Sequence, residues 1–122
     1  MTYIKTDNMS PDERKPIVWV GDSRKSLRDF PLIARQRAGR ELARVQDALD
    51  PVDWKPMASI GAGVREIRVR AQGAYRVFYV ANYPEAIYVL HAFAKKSQKT
   101  PWGDVALARE RFRRLAAERN ER

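Results

Sequence analysis

The sequence predicts an α+β domain, an antiparallel sheet with helices packed on it. Three observations carry that expectation. Val64–Arg70, Tyr75–Val80 and the stretch from Ala86 into Lys95-Lys96 read as strands separated by two short turns. Residues 31–49 and 101–115 each carry an apolar stripe at helical spacing. In the first of the three strands, alternation sends Ile67 and Val69 to one face and Glu66, Arg68 and Arg70 to the other. A sheet buried on both faces would carry Val or Ile where these cations stand. One face is therefore expected to pack on helices while the other stays open and basic.

Taken in order, residues 1–15 are polar, hold Ser10-Pro11 and show no period, so they read as a loose arm preceding a single domain over residues 16–118. Ile17–Val20 is a short apolar run closed by Gly21-Asp22: a strand, a turn, and a helix cap at Asp22 or Ser23. Ser23 to Phe30 fits a short helix, and Pro31 can open a second because its fixed φ suits a first helical turn. That helix is expected to reach Leu49, with Ala38, Leu42, Val45 and Leu49 inward and Arg35, Arg37, Arg40 and Arg44 outside the stripe, until Asp50-Pro51 ends it. Residues 51–63, rich in Pro and Gly around Trp54 and Met57, suggest an ordered loop pinned by its own apolar anchors.

The three basic strands follow, linked by Ala71-Gln72-Gly73 and Asn82-Tyr83-Pro84-Glu85, turns short enough to make an antiparallel meander. Alternation would put His91 on a face with Ile87, Val89 and Phe93, a partly buried histidine. Thr100-Pro101 is a helix start, and Val105, Ala108, Phe112 and Leu115 form the packing edge of a last helix. Arg109, Arg111, Arg113 and Arg114 lie on its other side, and residues 119–122 are expected to fray.

Composition narrows the chemistry. A chain of 122 residues with 44% hydrophobic content suits one modest core. Lys plus Arg number 24 against 15 Asp plus Glu, a formal charge of +9 that favours polyanionic partners, nucleic acid or an acidic protein. With no cysteine and one histidine, thiol nucleophiles, thiolate metal sites and Ser-His-Asp systems have little material. Gly61-Ala-Gly63 precedes a strand and is too short for a dinucleotide fingerprint, so no cofactor is implied. The N-terminus lacks the apolar run of a signal peptide and no stretch is long enough to span a bilayer, so a soluble, cytoplasmic protein with no membrane partner is expected.

What is left is the basic face: Arg68, Arg70 and Arg76, then Lys95 and Lys96, with Gln98 and Lys99 beyond. Guanidinium groups hold phosphate oxygens bidentately and lysine acts as a compact charge. Such a set can bind an RNA backbone, and it can also cleave one. RNA carries its own nucleophile in the 2′-hydroxyl, and convergent cations can stabilise the doubly negative phosphorane with neither metal nor histidine. Glu66, on the same expected face as Arg68, can accept the hydroxyl proton or serve as an ion-pair partner of Arg68 or Arg76. Trp54, Tyr75, Tyr79 and Tyr88 read as packing side chains.

Four motifs then carry a resemblance: Asp53–Met57, Gly63–Arg70, Gly73–Tyr79 and Val89–Pro101. From Ile17 to about Leu115 the chain resembles the RelE/ParE superfamily of type II toxin-antitoxin toxins, and within it the HigB-like, phage-derived branch. The resemblance implies a small α+β microdomain with helices on one sheet face and a concave basic face that cleaves mRNA in the ribosomal A site. It implies that Arg76 contacts the scissile phosphate, with Arg68 and Lys96 as further cations. Lys95, Gln98 and Lys99 sit in the Lys-Lys-x-Gln-Lys-Thr segment typical of the branch. Glu66 stands where RelE has lysine, and after Thr100 only Trp102 and Phe112 are aromatic, so the catalytic tyrosine of several relatives has no clear counterpart.

The expected function is thus a ribosome-dependent mRNA endoribonuclease that inhibits growth and is neutralised by an acidic HigA-like helix-turn-helix antitoxin. Catalytic candidates are Arg68, Arg76, Lys96, Lys95 and Glu66, and RNA-binding candidates are Arg70, Gln98 and Lys99, with no metal. Two other readings are a ParE-like toxin directed at a protein such as gyrase and a basic interaction module without catalysis.

Overall fold

The computed structural model describes residues 14–121, so most of the expected N-terminal arm lies outside the described residues. Its last two positions are held: Arg14 donates to both carboxylate oxygens of Asp47, at 2.8 and 2.7 Å, and Lys15 Nζ donates to the Ala81 carbonyl. The chain then runs β1 (Ile17–Trp19), α1 (Ser23–Arg28), α2 (Leu32–Gln46), β2 (Trp54–Pro56), β3 (Val64–Arg70), β4 (Ala74–Val80), β5 (Ile87–Lys95) and α3 (Trp102–Asn120). The strands form one sheet in the order β1-β5-β4-β3-β2. β1 runs parallel to β5, while β2, β3, β4 and β5 pair antiparallel in sequence, which bears out the α+β class and the meander.

Two apolar clusters sandwich this sheet. On one face Ile67, Val69, Tyr75, Val77, Tyr79, Ile87 and Val89 meet Leu27 and Phe30 from the α1 region and Ala34, Ala38, Leu42 and Val45 from α2. On the other, Val64, Phe78, Val80, Tyr88, Leu90 and Phe93 meet Val105, Ala108 and Leu115 from α3. The helices therefore divide between the faces, instead of sharing one. β5 is covered on both, and its residues Ile87–Phe93 are all buried, a run apolar except for His91, as such a position requires. Beyond the cover of α3, the β2–β3 side of that second face stays open, and the cations collect there.

Local details depart from the sequence reading for identifiable reasons. Residues 51–63 are not all loop: Trp54–Pro56 adds an edge strand to β3, with Arg65 held over the Trp54 ring at 4.0 Å. Pro56 is tolerated because an edge strand can spare a donor. α2 stops at Gln46, since Ala48 takes a left-handed φ of 62°, and Leu49 ends 51% exposed instead of extending the apolar stripe. Asp22 does not cap α1 with its side chain; it receives a 2.6 Å bond from Arg111. Arg111 also donates to the Leu90 carbonyl, so it staples α3 to the sheet and is not a merely solvating arginine. Thr100 is displaced as cap by Pro101. The expected fray is helical to Asn120, because Arg119 lies over the Tyr83 ring at 3.7 Å and grips Glu85 with bonds of 2.7 and 3.0 Å.

Candidate functional site

Cross-strand register builds the site rung by rung on the open face. β2, β3, β4 and β5 line up Lys55, Glu66, Phe78 and His91; the next rung is Arg68, Arg76 and Phe93; the next is Arg70, Ala74 and Lys95. Since side chains on one face recur at every second residue, the three rungs are contiguous. The apolar half of the first two rungs, Phe78 and Phe93, lies under α3. The cationic half meets solvent.

Glu66 is the hub. It is only 4% exposed, and its Oε1 lies 3.1 Å from Arg68 Nε, 3.7 Å from Arg76 Nε and 4.0 Å from Lys55 Nζ. Arg68 and Arg76 are directly paired across β3 and β4, a juxtaposition of like charges that is unfavourable unless compensated. Glu66 compensates it, but one carboxylate faces three cations, and Arg70 and Lys95 add to the surplus. Arg76 is the most enclosed of the set, its side chain 11% exposed against 34% for Arg68. Burial pushes the Arg76 guanidinium below its ordinary value; the Glu66 charge opposes that shift, and Arg68 and Arg70 reinforce it. An anion arriving here meets a cation already stripped of part of its water, where a charge interaction is stronger than at an open surface.

The structure thus brings Glu66, Arg68, Arg70, Arg76 and Lys95 onto one face. Lys96, Gln98 and Lys99 are exposed in the segment between β5 and α3 and take no part in the ladder. Lys95 Nζ donates to the Ser97 carbonyl at 3.0 Å, folding the start of that segment back on the strand end. Lys55 was invisible to the sequence reading, because Trp-Lys-Pro is too short and too close to breakers to show strand alternation; only the register opposite Glu66 reveals it.

His91 is a second correction. A bulge sets Phe78 opposite His91 but Tyr79 opposite Val89, leaving Leu90 unmatched. Leu90 and His91 both join the α3 side, so His91 shares a face with Phe93 but not with Ile87 or Val89. Its Nε2 lies 2.7 Å from Asp104 Oδ1, its ring stacks on Phe93 at 5.3 Å, and its buried Nδ1 lacks a hydrogen-bond partner among the described residues. Tyr75, Tyr79 and Tyr88 are buried as packing side chains.

Among the described residues no group of three or more His, Cys, Asp or Glu side chains is arranged to hold a metal ion, and no helix is long and apolar enough to cross a membrane. The arrangement suits a phosphate: several guanidinium and ammonium donors converge on a small area against a low-dielectric wall.

No curated protein matches the chain. Residues 25–113, which run from α1 to the penultimate turns of α3 and include every strand of the meander, match the family described as Phage derived protein Gp49-like (DUF891). The chain belongs to this phage-derived Gp49-like family, a RelE-like toxin family.

Proposed function

We propose that the protein is the toxin of a type II toxin-antitoxin system, a metal-independent, ribosome-dependent mRNA endoribonuclease of the HigB-like branch that stops translation in the cytoplasm. The observation that carries this reading is the Arg68–Arg76 rung, two guanidinium groups side by side on an open sheet face with one of them mostly buried. In the proposed reaction the 2′-hydroxyl loses its proton and attacks the adjacent phosphorus. The bond from phosphorus to the 5′-oxygen breaks, and that oxygen takes up a proton, leaving a 2′,3′-cyclic phosphate and a 5′-hydroxyl. Arg68 and Arg76 stabilise the phosphorane, where charge is greatest, and such preorganised cations commonly supply the largest catalytic term.

Lys95, level with the next rung, and Lys96 just past it contribute further positive charge. Glu66 and Lys95 are assigned the proton transfers. Arg70, Gln98 and Lys99 track the backbone on either side of the scissile bond. An acidic HigA-like antitoxin fits a chain of charge +9 as its inhibitor.

The test is Arg76→Ala, with 5′ ends of cellular mRNA mapped after brief induction and cleavage followed on programmed ribosomes. Loss of one such electrostatic donor is expected to lower cleavage by about 100-fold or more and to abolish growth arrest, while the circular dichroism spectrum stays that of the wild type. Full toxicity in the variant would overturn the reading. DNA-damage signalling without mRNA cleavage on induction of the wild type would favour a ParE-like target instead.

A further inference from the structure

We propose that Trp102 forms a nucleobase-stacking subsite at the edge of the basic face, so that the face takes single-stranded RNA with an unstacked base and not a bare chain of phosphates. The inference rests on the phosphate-clamp reading above and adds to it the recognition of a base.

Trp102 is 69% exposed. An indole normally contributes its large apolar area to a core or an interface, and Trp102 has no ring partner among the described aromatic and cation-π contacts, whereas Arg65 covers Trp54. The start of α3, where Trp102 stands, is also tied to the sheet. That residue opens α3 directly after the segment carrying Lys96, Gln98 and Lys99. Its amide donates to the Thr100 carbonyl at 2.9 Å, and Val105 donates to the Pro101 carbonyl at 3.0 Å, so the backbone around it is ordered. Two residues on, Asp104 bonds His91; the His91 ring stacks on Phe93; and Phe93 is the strand partner of Arg76. An unbroken series of contacts therefore fixes the start of α3 relative to the Arg68–Arg76 rung.

Chemistry selects the ligand. Phosphate gains little from an indole, while any base can lay a π-face on it, and stacking of this kind alongside a cationic track is how sequence-tolerant single-strand binding is built. The cations and the aromatic are thus explained together by RNA, whereas polyphosphate would use only the cations. An acidic protein partner using Trp102 as an apolar anchor is the competing occupant, and the experiment separates it.

Binding of the full chain is measured to two probes: a fluorescein-labelled 2′-O-methyl RNA octamer, which lacks the attacking hydroxyl, and long-chain inorganic polyphosphate, which lacks bases. Trp102→Ala is expected to weaken RNA binding by about 5- to 150-fold and leave polyphosphate binding unchanged, and Trp102→Phe to retain most of the RNA affinity. Arg76→Ala is expected to weaken both probes. Trp102→Ala with wild-type RNA affinity, or with equal losses on both probes, overturns the stacking subsite; if Arg76→Ala still weakens both, the clamp stands without it. If RNA affinity survives in Trp102→Ala while neutralisation by an acidic antitoxin is lost, the residue is a protein contact. Failure of the wild type to bind either probe overturns the stacking subsite, while the endoribonuclease reading stands or falls on cleavage by programmed ribosomes.

Discussion

Glu66 shows how one residue can serve opposite ends. Buried at 4% exposure and bonded to Arg68, it lets two arginines stand side by side, yet it also occupies one of the directions from which a phosphate oxygen would approach them. Glu66→Gln keeps the shape and removes the charge, leaving Arg76, the least solvated of the three cations, without its counterion. Loss of a charge-assisted bond of this kind is expected to lower stability by about 2 kcal/mol, read as a shift in the chemical denaturation midpoint. Affinity for a single-stranded RNA octamer should rise severalfold, because the competing carboxylate is gone. Unchanged stability with unchanged affinity would remove Glu66 from the network; tighter binding with cleavage reduced about 100-fold or more would make it the proton acceptor as well. At this scale the site was half legible. Alternation put Glu66, Arg68 and Arg70 together, since strict period two survives in β3. Lys55 is hidden because its pairing is decided by a neighbouring strand, and the face of His91 is not legible because an inserted Leu90 leaves no mark in the sequence of β5.

Among the elements, α3 is legible in the sequence as a helix, while the sheet face it covers is not. Its apolar edge of Val105, Ala108, Phe112 and Leu115 is visible from spacing alone, but which sheet face receives it is a tertiary choice, and the answer narrows the open basic surface to the β2–β3 side. The same holds for its end. The arginine-rich tail looked free to fray, because the partner that pins Arg119 is Glu85, in the β4–β5 turn. This tie predicts an acid limb of stability. Bonds from Arg119 and Tyr88 hold the Glu85 carboxyl at about 2, and Arg113 and Arg114 hold Glu110, within α3 itself, at about 2, against an ordinary 4.5 for each. A folded value below the unfolded one means that the unfolded chain takes up its proton first as pH falls. The contribution is therefore complete above about pH 4.5 and is lost between there and about pH 2. Because both groups meet solvent, each effect is modest. Thermal unfolding across that window should show a falling midpoint, and Glu85→Gln should be less stable at pH 7 and show a shallower acid slope. An identical slope in the variant would mean that α3 holds its last turn without the Glu85 tie.

For the whole molecule, the formal charge of +9 sets how fast and how weakly specifically it meets polyanions, and the fold decides where they stop. Much of the charge cannot contribute at the site. Arg14, Arg65, Arg111, Arg113 and Arg119 are paired with carboxylates in other places, and Arg37 donates to the Arg70 carbonyl beyond the end of the clamp. On the open face, the cations not drawn to carboxylates elsewhere are Arg68, Arg76, Arg70 and Lys95, with Lys55 at its edge, 4.0 Å from Glu66. If these four, with Lys96 and Lys99 from the adjoining segment, each neutralise one phosphate, the logarithm of RNA affinity should fall with the logarithm of salt concentration at a slope of about −4, and affinity should drop about 300-fold between 50 and 200 mM salt. Binding spread diffusely over all the surface arginines would give a steeper slope and would be nearly indifferent to any single substitution. Arg76→Ala should make the slope shallower by about 0.7, whereas Arg113→Ala, an exposed arginine on α3 engaged with Glu110, should leave it unchanged. Equal effects of the two substitutions would show that net charge, and not the rung geometry, governs binding, and would return the basic face to the status of a solvated surface.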